Sequence, residues 1–290
     1  MALIRKTLSI PYHLIKEIYK NFNLIIQRII FKLGKNYLRN KLLQLGLEEG
    51  MNIYVHSSLS KFGYIEGGAR DLLTVLQDII KDGNIMMPTF TFPKKEFSLQ
   101  DPCWTGKLPE LFRLQENTKR SVNPSHSVTV KGKLSNYLIK DHIKSKKPFD
   151  NNSPFAKFAK LDSYILMLGT ENNSMIHYVQ DKVNFPNLFL KEDYEYKFNN
   201  KILKTKLHHP KGSITYICSG KLCTDVEFLV KMYLDENFHE HGVMRTVKIG
   251  NAVCHLIKTK DFVEIATSYL KDNIKRYKNE YNLILNNGSS

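Results

Sequence analysis

A chain of 290 residues with 43 Lys and Arg against 28 Asp and Glu carries a net charge of +15, and 42% of its residues are hydrophobic. That composition describes a folded protein with a full core and excludes collagen-like, disordered and disulfide-framework classes, since the four cysteines are scattered at positions 103, 218, 223 and 254. The charge favours anionic partners such as phosphorylated cofactors, nucleotide-linked substrates or lipid surfaces without choosing among them. The basic residues are dispersed and match no recognised motif, so no nucleic acid is expected. Cys218 and Cys223 have a metal-compatible spacing but no second pair at finger distance, so no metal is expected either.

Taken in chain order, residues 1–35 are basic and apolar together, with seven cations (Arg5, Lys6, Lys16, Lys20, Arg28, Lys32, Lys35) against Glu17. No run reaches the ~20 apolar residues of a membrane span, and helical spacing from Leu14 to Leu33 reads as a basic amphipathic extension. It would either pack on protein, within the chain or across a homo-oligomer, or lie peripherally on the inner face of a membrane around a cytoplasmic enzyme. Asn36–Leu47 reads as a helix ending at Gly46, Asn52–His56 as a buried strand, Gly67–Lys81 as an amphipathic helix and Asn84–Pro88 as a strand. Ser153–Lys160, a helix from Ser174, Asp225–Leu234 and Asp261–Asp272 read as helices, and Tyr164–Leu168 and Thr215–Ser219 as strands. Polar β-like stretches at Tyr194–Phe198 and Ile202–Leu207 suggest a hairpin. The pattern predicts an α/β fold: a mostly parallel central sheet with helices on both faces, a small β-hairpin excursion and an N-terminal helical extension. Residues 36–290 would form one catalytic domain.

Two loops have the chemistry to hold phosphate. Ser57, Ser58 and Leu59 follow a strand, and Gly67, Gly68 and Ala69 open a helix, so backbone N–H groups would converge on an anion. Neither loop matches a Walker or dinucleotide-binding pattern.

Five segments then appear in a particular order: VHSSLSKFGYIEGGARDLLTVL (55–76), MPTFTF (87–92), RSVNPSHSVTVKGK (120–133), NSPFAKFAKLDSYILMLGTENNSMIHYVQ (152–180) and VKIGNAVCHLIKTKDFVEIATSYL (247–270). Together they resemble the aminoglycoside 3-N-acetyltransferase family, including its relatives associated with surface-polysaccharide biosynthesis. The resemblance implies direct transfer of an acetyl group from acetyl-CoA to an amine, with no metal. It places His177 as general base, with Glu171 and Asn173 beside it. Ser57, Ser58, Leu59, Gly67, Gly68, Ala69, Arg120 and Ser127 would contact the cofactor, and His126, Gln180 and Asp181 the substrate. The family commonly has an acid three residues after the histidine, where this chain has Gln180.

The chemistry fits: imidazole, with a pKa of about 6.5, is suited to deprotonating an ammonium near neutral pH. Backbone N–H groups of the Ser57–Leu59 turn are natural oxyanion donors. His56, at a strand end, reads as a structural hydrogen-bonding residue. Since aminoglycosides are polycations, the +15 charge favours instead an amino sugar on a nucleotide or lipid diphosphate, in polysaccharide biosynthesis. The alternatives are an aminoglycoside 3-N-acetyltransferase of antibiotic resistance and a non-catalytic membrane-associated binding protein on the same fold.

Overall fold

The computed structural model describes residues 32–184, 189–210 and 243–287. The first elements are β1 (Lys32–Leu33), α1 (Lys35–Leu45), β2 (Asn52–Ser57), β3 (Tyr64–Ile65), α2 (Gly68–Ile80) and β4 (Asn84–Pro88). The middle of the chain forms α3 (Lys107–Arg113), β5 (Thr118–Arg120), β6 (Val128–Lys131), α4 (Ser135–Ile139), α5 (Pro154–Phe158), β7 (Ser163–Leu168) and α6 (Met175–Lys182). A hairpin of β8 (Phe189–Phe198) and β9 (Lys201–Pro210) precedes β10 (Met244–Ile249), β11 (Ala252–Lys258) and the long helix α7 (Thr259–Asn287).

Seven strands form the central sheet in the order β10-β11-β7-β2-β4-β6-β5. β2 pairs in parallel with β4 and β7, and this parallel centre is flanked by antiparallel pairs, β11 and β10 on one side, β6 and β5 on the other. Ile53, Tyr54, Val55 and His56 of β2 are all buried, as a central strand covered on both faces requires. The period-2 alternation divides them. Ile53 and Val55 join an aliphatic cluster with Leu72, Leu76 and Ile79 of α2. Tyr54 faces the other way, into a cluster with Phe90, Phe149, Phe155, Phe158, Met167 and Phe262. Each such side chain contributes about 1.5–3 kcal/mol of transfer free energy.

Local chemistry sets the ends of the elements. Gly46 closes α1 at φ 103°, donating its N–H to the carbonyls of Leu42 and Leu43, a conformation that a β-carbon would strain. Ser153 caps α5 by accepting the Ala156 N–H at 3.2 Å, with Pro154 in the first turn. Asn199 and Asn200 turn the β8–β9 hairpin with φ of 47° and 61°, the left-handed pair that a two-residue hairpin turn needs.

Lys32–Leu33, expected at the end of a helix, is a strand pairing in parallel with Tyr64–Ile65. Residues 1–31, and the elements expected at Thr215–Ser219 and Asp225–Leu234, lie outside the described residues. Among the described residues, no helix is long and apolar enough to cross a membrane.

Candidate active site

Polar side chains gather at the carboxyl ends of β4, β2 and β7, where open α/β sheets hold their ligands. His177 is the third residue of α6, and its Nδ1 lies 2.9 Å from Oε1 of Gln180, one turn on. An amide oxygen only accepts, so Nδ1 carries the proton and Nε2 is the basic nitrogen. Gln180 is buried. Gln180, expected among the substrate contacts, thus has its amide oxygen on the His177 ring.

Below α6, the Tyr54 hydroxyl meets Ser174 Oγ at 2.5 Å, tying the helix start to β2. Asn173 accepts the Met175 N–H on Oδ1 at 3.0 Å, which fixes its amide orientation. Its Nδ2 is buried and has no hydrogen-bond partner among the described residues. His56 stands edge-on to Tyr54, with ring centroids 4.4 Å apart. Its Nε2 is also buried and makes no hydrogen bond among the described residues. Burial, and then the nearby charge of His177, lower its pKa to about 3. His56 is thus a neutral imidazole beside the candidate base.

A series of rings leads away from His177 on the β4 side. Phe149 lies 5.4 Å from His177, His126 5.0 Å from Phe149, and Phe90 4.7 Å from His126. His126, expected at the substrate, is a buried member of this series. Its Nδ1 is 2.8 Å from Ser125 Oγ, and its backbone N–H donates to Asn123 Oδ1 at 2.8 Å. Asp181, also expected there, is paired with Lys147 at 3.2 Å.

On the β7 side a groove of about 500 Å³ is lined by Ser58, Lys61, Gly169–Asn172, Asn251–Val253 and His255. Gly169, at φ 68°, lets three segments meet: a β-carbon there would lie 3.0 Å from Lys61 Cβ and 3.1 Å from Ala252 Cβ. Glu171 lines this groove beside Lys61. Ser57 pairs with Leu168 across the sheet, and Leu59 packs against the aliphatic cluster. The Ser58 N–H donates to the Leu168 carbonyl at 2.9 Å, so it is not an available oxyanion donor.

At two further expected cofactor contacts the chain's own groups are close at hand. At Gly67, Gly68 and Ala69 the start of α2 is occupied by the chain's own carboxylate: Asp71 folds over Gly67 and pairs with Lys35 at 3.5 Å. Glu66 also borders that end and pairs with Lys32 at 3.7 Å, so each carboxylate there faces a lysine. Arg120 is buried, with Nε donating to Ser127 Oγ at 3.0 Å, one terminal nitrogen to the Thr89 carbonyl at 2.6 Å and the other to the Leu99 and Asp101 carbonyls. Ser127 in turn donates to the Thr89 carbonyl at 2.6 Å. Both residues brace the loop after β4 through these bonds. Neither described cysteine is primed as a nucleophile, since burial raises Cys103 and pushes Cys254 up to about 12.

Sequence reasoning missed Tyr54, Phe149, Lys61 and Asn251. Tyr54 had a signal, because it alternates with His56 on one face of β2. Lys61 and Asn251 had none, since the groove forms only where the loops after β2, β7 and β10 meet.

Taken with its relatives, the arrangement is that of an acetyl-CoA-dependent N-acetyltransferase. Residues 54–271, about three quarters of the chain, match the model of the aminoglycoside 3-N-acetyltransferase family. The SPbeta prophage-derived aminoglycoside N(3')-acetyltransferase-like protein YokD of Bacillus subtilis (strain 168) is 24% identical over 287 residues, covering 86% of this chain and 96% of that protein. Aminoglycoside N(3)-acetyltransferase VII of Streptomyces paromomycinus is 21% identical over 273 residues, covering 82% and 92%. The structure of AAC-IIIb in binary complex with CoASH superposes with a TM-score of 0.71 at 19% identity, over 84% of this chain and 98% of that one. The chain belongs to the aminoglycoside 3-N-acetyltransferase family. These matches overturn the expected polysaccharide-biosynthesis amino sugar: the family model and both relatives carry the aminoglycoside N-acetyltransferase name. Net charge misled because it sums the whole surface and carries no information about the local field at His177.

Proposed function

We propose that the chain transfers the acetyl group of acetyl-CoA to the 3-amino group of an aminoglycoside, with His177 as general base. The supporting observation is the His177–Gln180 contact of 2.9 Å at the carboxyl end of the parallel strands, which leaves Nε2 as the basic nitrogen. The groove with Ser58, Lys61, Asn172 and Asn251 suits the donor: polar side chains line it, and Lys61 supplies charge for phosphate. The acceptor amine, its ammonium proton already lost to solvent, attacks the thioester carbonyl while Nε2 of His177 takes a second proton from the nitrogen. Asn173 Nδ2, a buried donor without a partner, supplies a hydrogen bond to the oxygen as charge develops there. Collapse expels the thiolate, which leaves with the proton returned from His177. His56 stays neutral beside the imidazolium and adds no opposing charge.

The test is thiol release from acetyl-CoA by the full chain, with gentamicin, apramycin and aminated nucleotide sugars as acceptors. Thiol release with an aminoglycoside, and a product heavier by one acetyl group, is expected. Release only with nucleotide sugars would overturn the reading.

A further inference from the structure

The chain has one tryptophan, Trp104, and it is 53% exposed. Phe92, 69% exposed, stacks on it with centroids 5.9 Å apart and rings inclined by 27°. Exposing two large aromatics in contact is costly unless something covers them. The pair is held in place: the backbone N–H of Trp104 donates to the Phe90 carbonyl at 3.1 Å, and the neighbouring Thr105 hydroxyl to the Pro88 carbonyl at 2.5 Å. Both acceptors lie at the carboxyl end of β4. Trp104 also meets Phe90 edge-on at 6.0 Å, and Phe90 begins the ring series through His126 and Phe149 to His177.

We propose that the Phe92–Trp104 stack is the platform on which the acceptor lies, with sugar rings against its outer face and ammonium groups over the rings. The proposal rests on the aminoglycoside reading above. Two observations identify the occupant. First, the polar groove with Lys61 lies over β2, β7 and β11, whereas the stack lies beyond β4, so the two substrates approach His177 from opposite sides. Second, carboxylates close to the stack and the base are already paired: Asp101 with Lys94 at 3.0 Å, Glu110 with Arg113 at 2.5 Å and Asp181 with Lys147 at 3.2 Å. Aromatic faces attract a polycation through the ring quadrupole, without charge of their own. Such a platform lets a chain of net charge +15 capture a cationic substrate.

Because Trp104 is the sole tryptophan, its emission reports occupancy directly in the wild-type chain. Titration with gentamicin is expected to quench or shift that emission, and titration with coenzyme A to leave it unchanged. Trp104→Ala is expected to raise the acceptor KM about tenfold, with the acetyl-CoA KM unchanged, and Trp104→Phe to restore most of the loss. Thiol release with gentamicin but unchanged emission would remove the platform and leave the aminoglycoside reading standing. A response to coenzyme A instead, or a rise in the acetyl-CoA KM alone, would give the stack to the donor's adenine and overturn the proposal. Failure of every aminoglycoside to release thiol would remove the reading and the proposed occupant together.

Discussion

The two faces of the central sheet are built from different chemistry. On the face covered by α1, α2 and α3, the buried side chains are almost all aliphatic: Ile53, Val55, Leu72, Leu76, Ile85, Leu166 and Leu168. The other face carries Tyr54, Phe90, Phe149 and Phe155, with His56, His126 and His142 buried among them and His177 at the edge. Aliphatic packing needs only shape and volume, whereas buried imidazoles and amides need partners, and His56 Nε2 and Asn173 Nδ2 have none among the described residues. One face supplies stability, and the other gives some of it up to hold a site. Substitutions on the two faces should therefore have separable effects.

The largest effect is expected on the polar face. His177→Ala should lower kcat by about 10²–10⁴, the usual worth of a general base, while the chain's unfolding midpoint stays close to wild type. Near-normal turnover would remove His177 from the reaction. The opposite separation is expected from Leu76→Ala, at a fully buried position of the aliphatic face. It should cost about 2–5 kcal/mol in unfolding free energy, with kcat and both KM values unchanged in the folded fraction. Loss of turnover without loss of stability would show that the faces are not independent.

How much of this was legible in the sequence follows the same division. The parallel centre and α2 have unmistakable periods: Asn84–Pro88 is a strand with the expected bounds, and α2 differs by one residue at each end. The flanking strands escaped because β5 has three residues and β10, buried only at its two ends, lacks alternation. At the site, the run around His177 was readable because its residues are close in sequence. The role of Arg120 was not, because its carbonyl partners lie 19 to 31 residues away in the chain. The Phe92–Trp104 stack was invisible for another reason: exposure is a property of the fold, and aromatic residues read as core.

The polar face should also reveal itself in acid. His56 and His142 are both buried, with pKa values lowered by burial to about 3 and about 4. In the unfolded chain each returns to about 6.5, so below that pH the unfolded state binds protons that the folded state refuses. Stability should be level above pH ~6.5 and decline as the pH falls towards 4, by about 1.4 kcal/mol per unit for each histidine. Denaturant unfolding at pH 7.5 and pH 5.0 measures the slope. His56→Phe should halve it. An unchanged slope in that variant would mean that His56 is protonated in the fold.

The smallest effect is expected at the start of α2, where a carboxylate stands beside the expected phosphate cradle. Asp71 covers Gly67 and pairs with Lys35 at 3.5 Å, placing a carboxylate at the positive end of the helix dipole. A carboxylate in a first turn is worth about 0.3–1 kcal/mol, and a half-exposed pair with Lys35 adds little. Asp71→Asn should therefore lower stability by no more than about 1 kcal/mol and leave the acetyl-CoA KM unaltered. The KM is the sharper readout. If the Gly67–Ala69 turn cradled the pyrophosphate, Asp71 would repel it, and removing that charge would tighten the donor several-fold. A fall in the acetyl-CoA KM on Asp71→Asn would move the donor from the Ser58–Lys61 groove to the helix start, and the two-sided approach to His177 would fail with it.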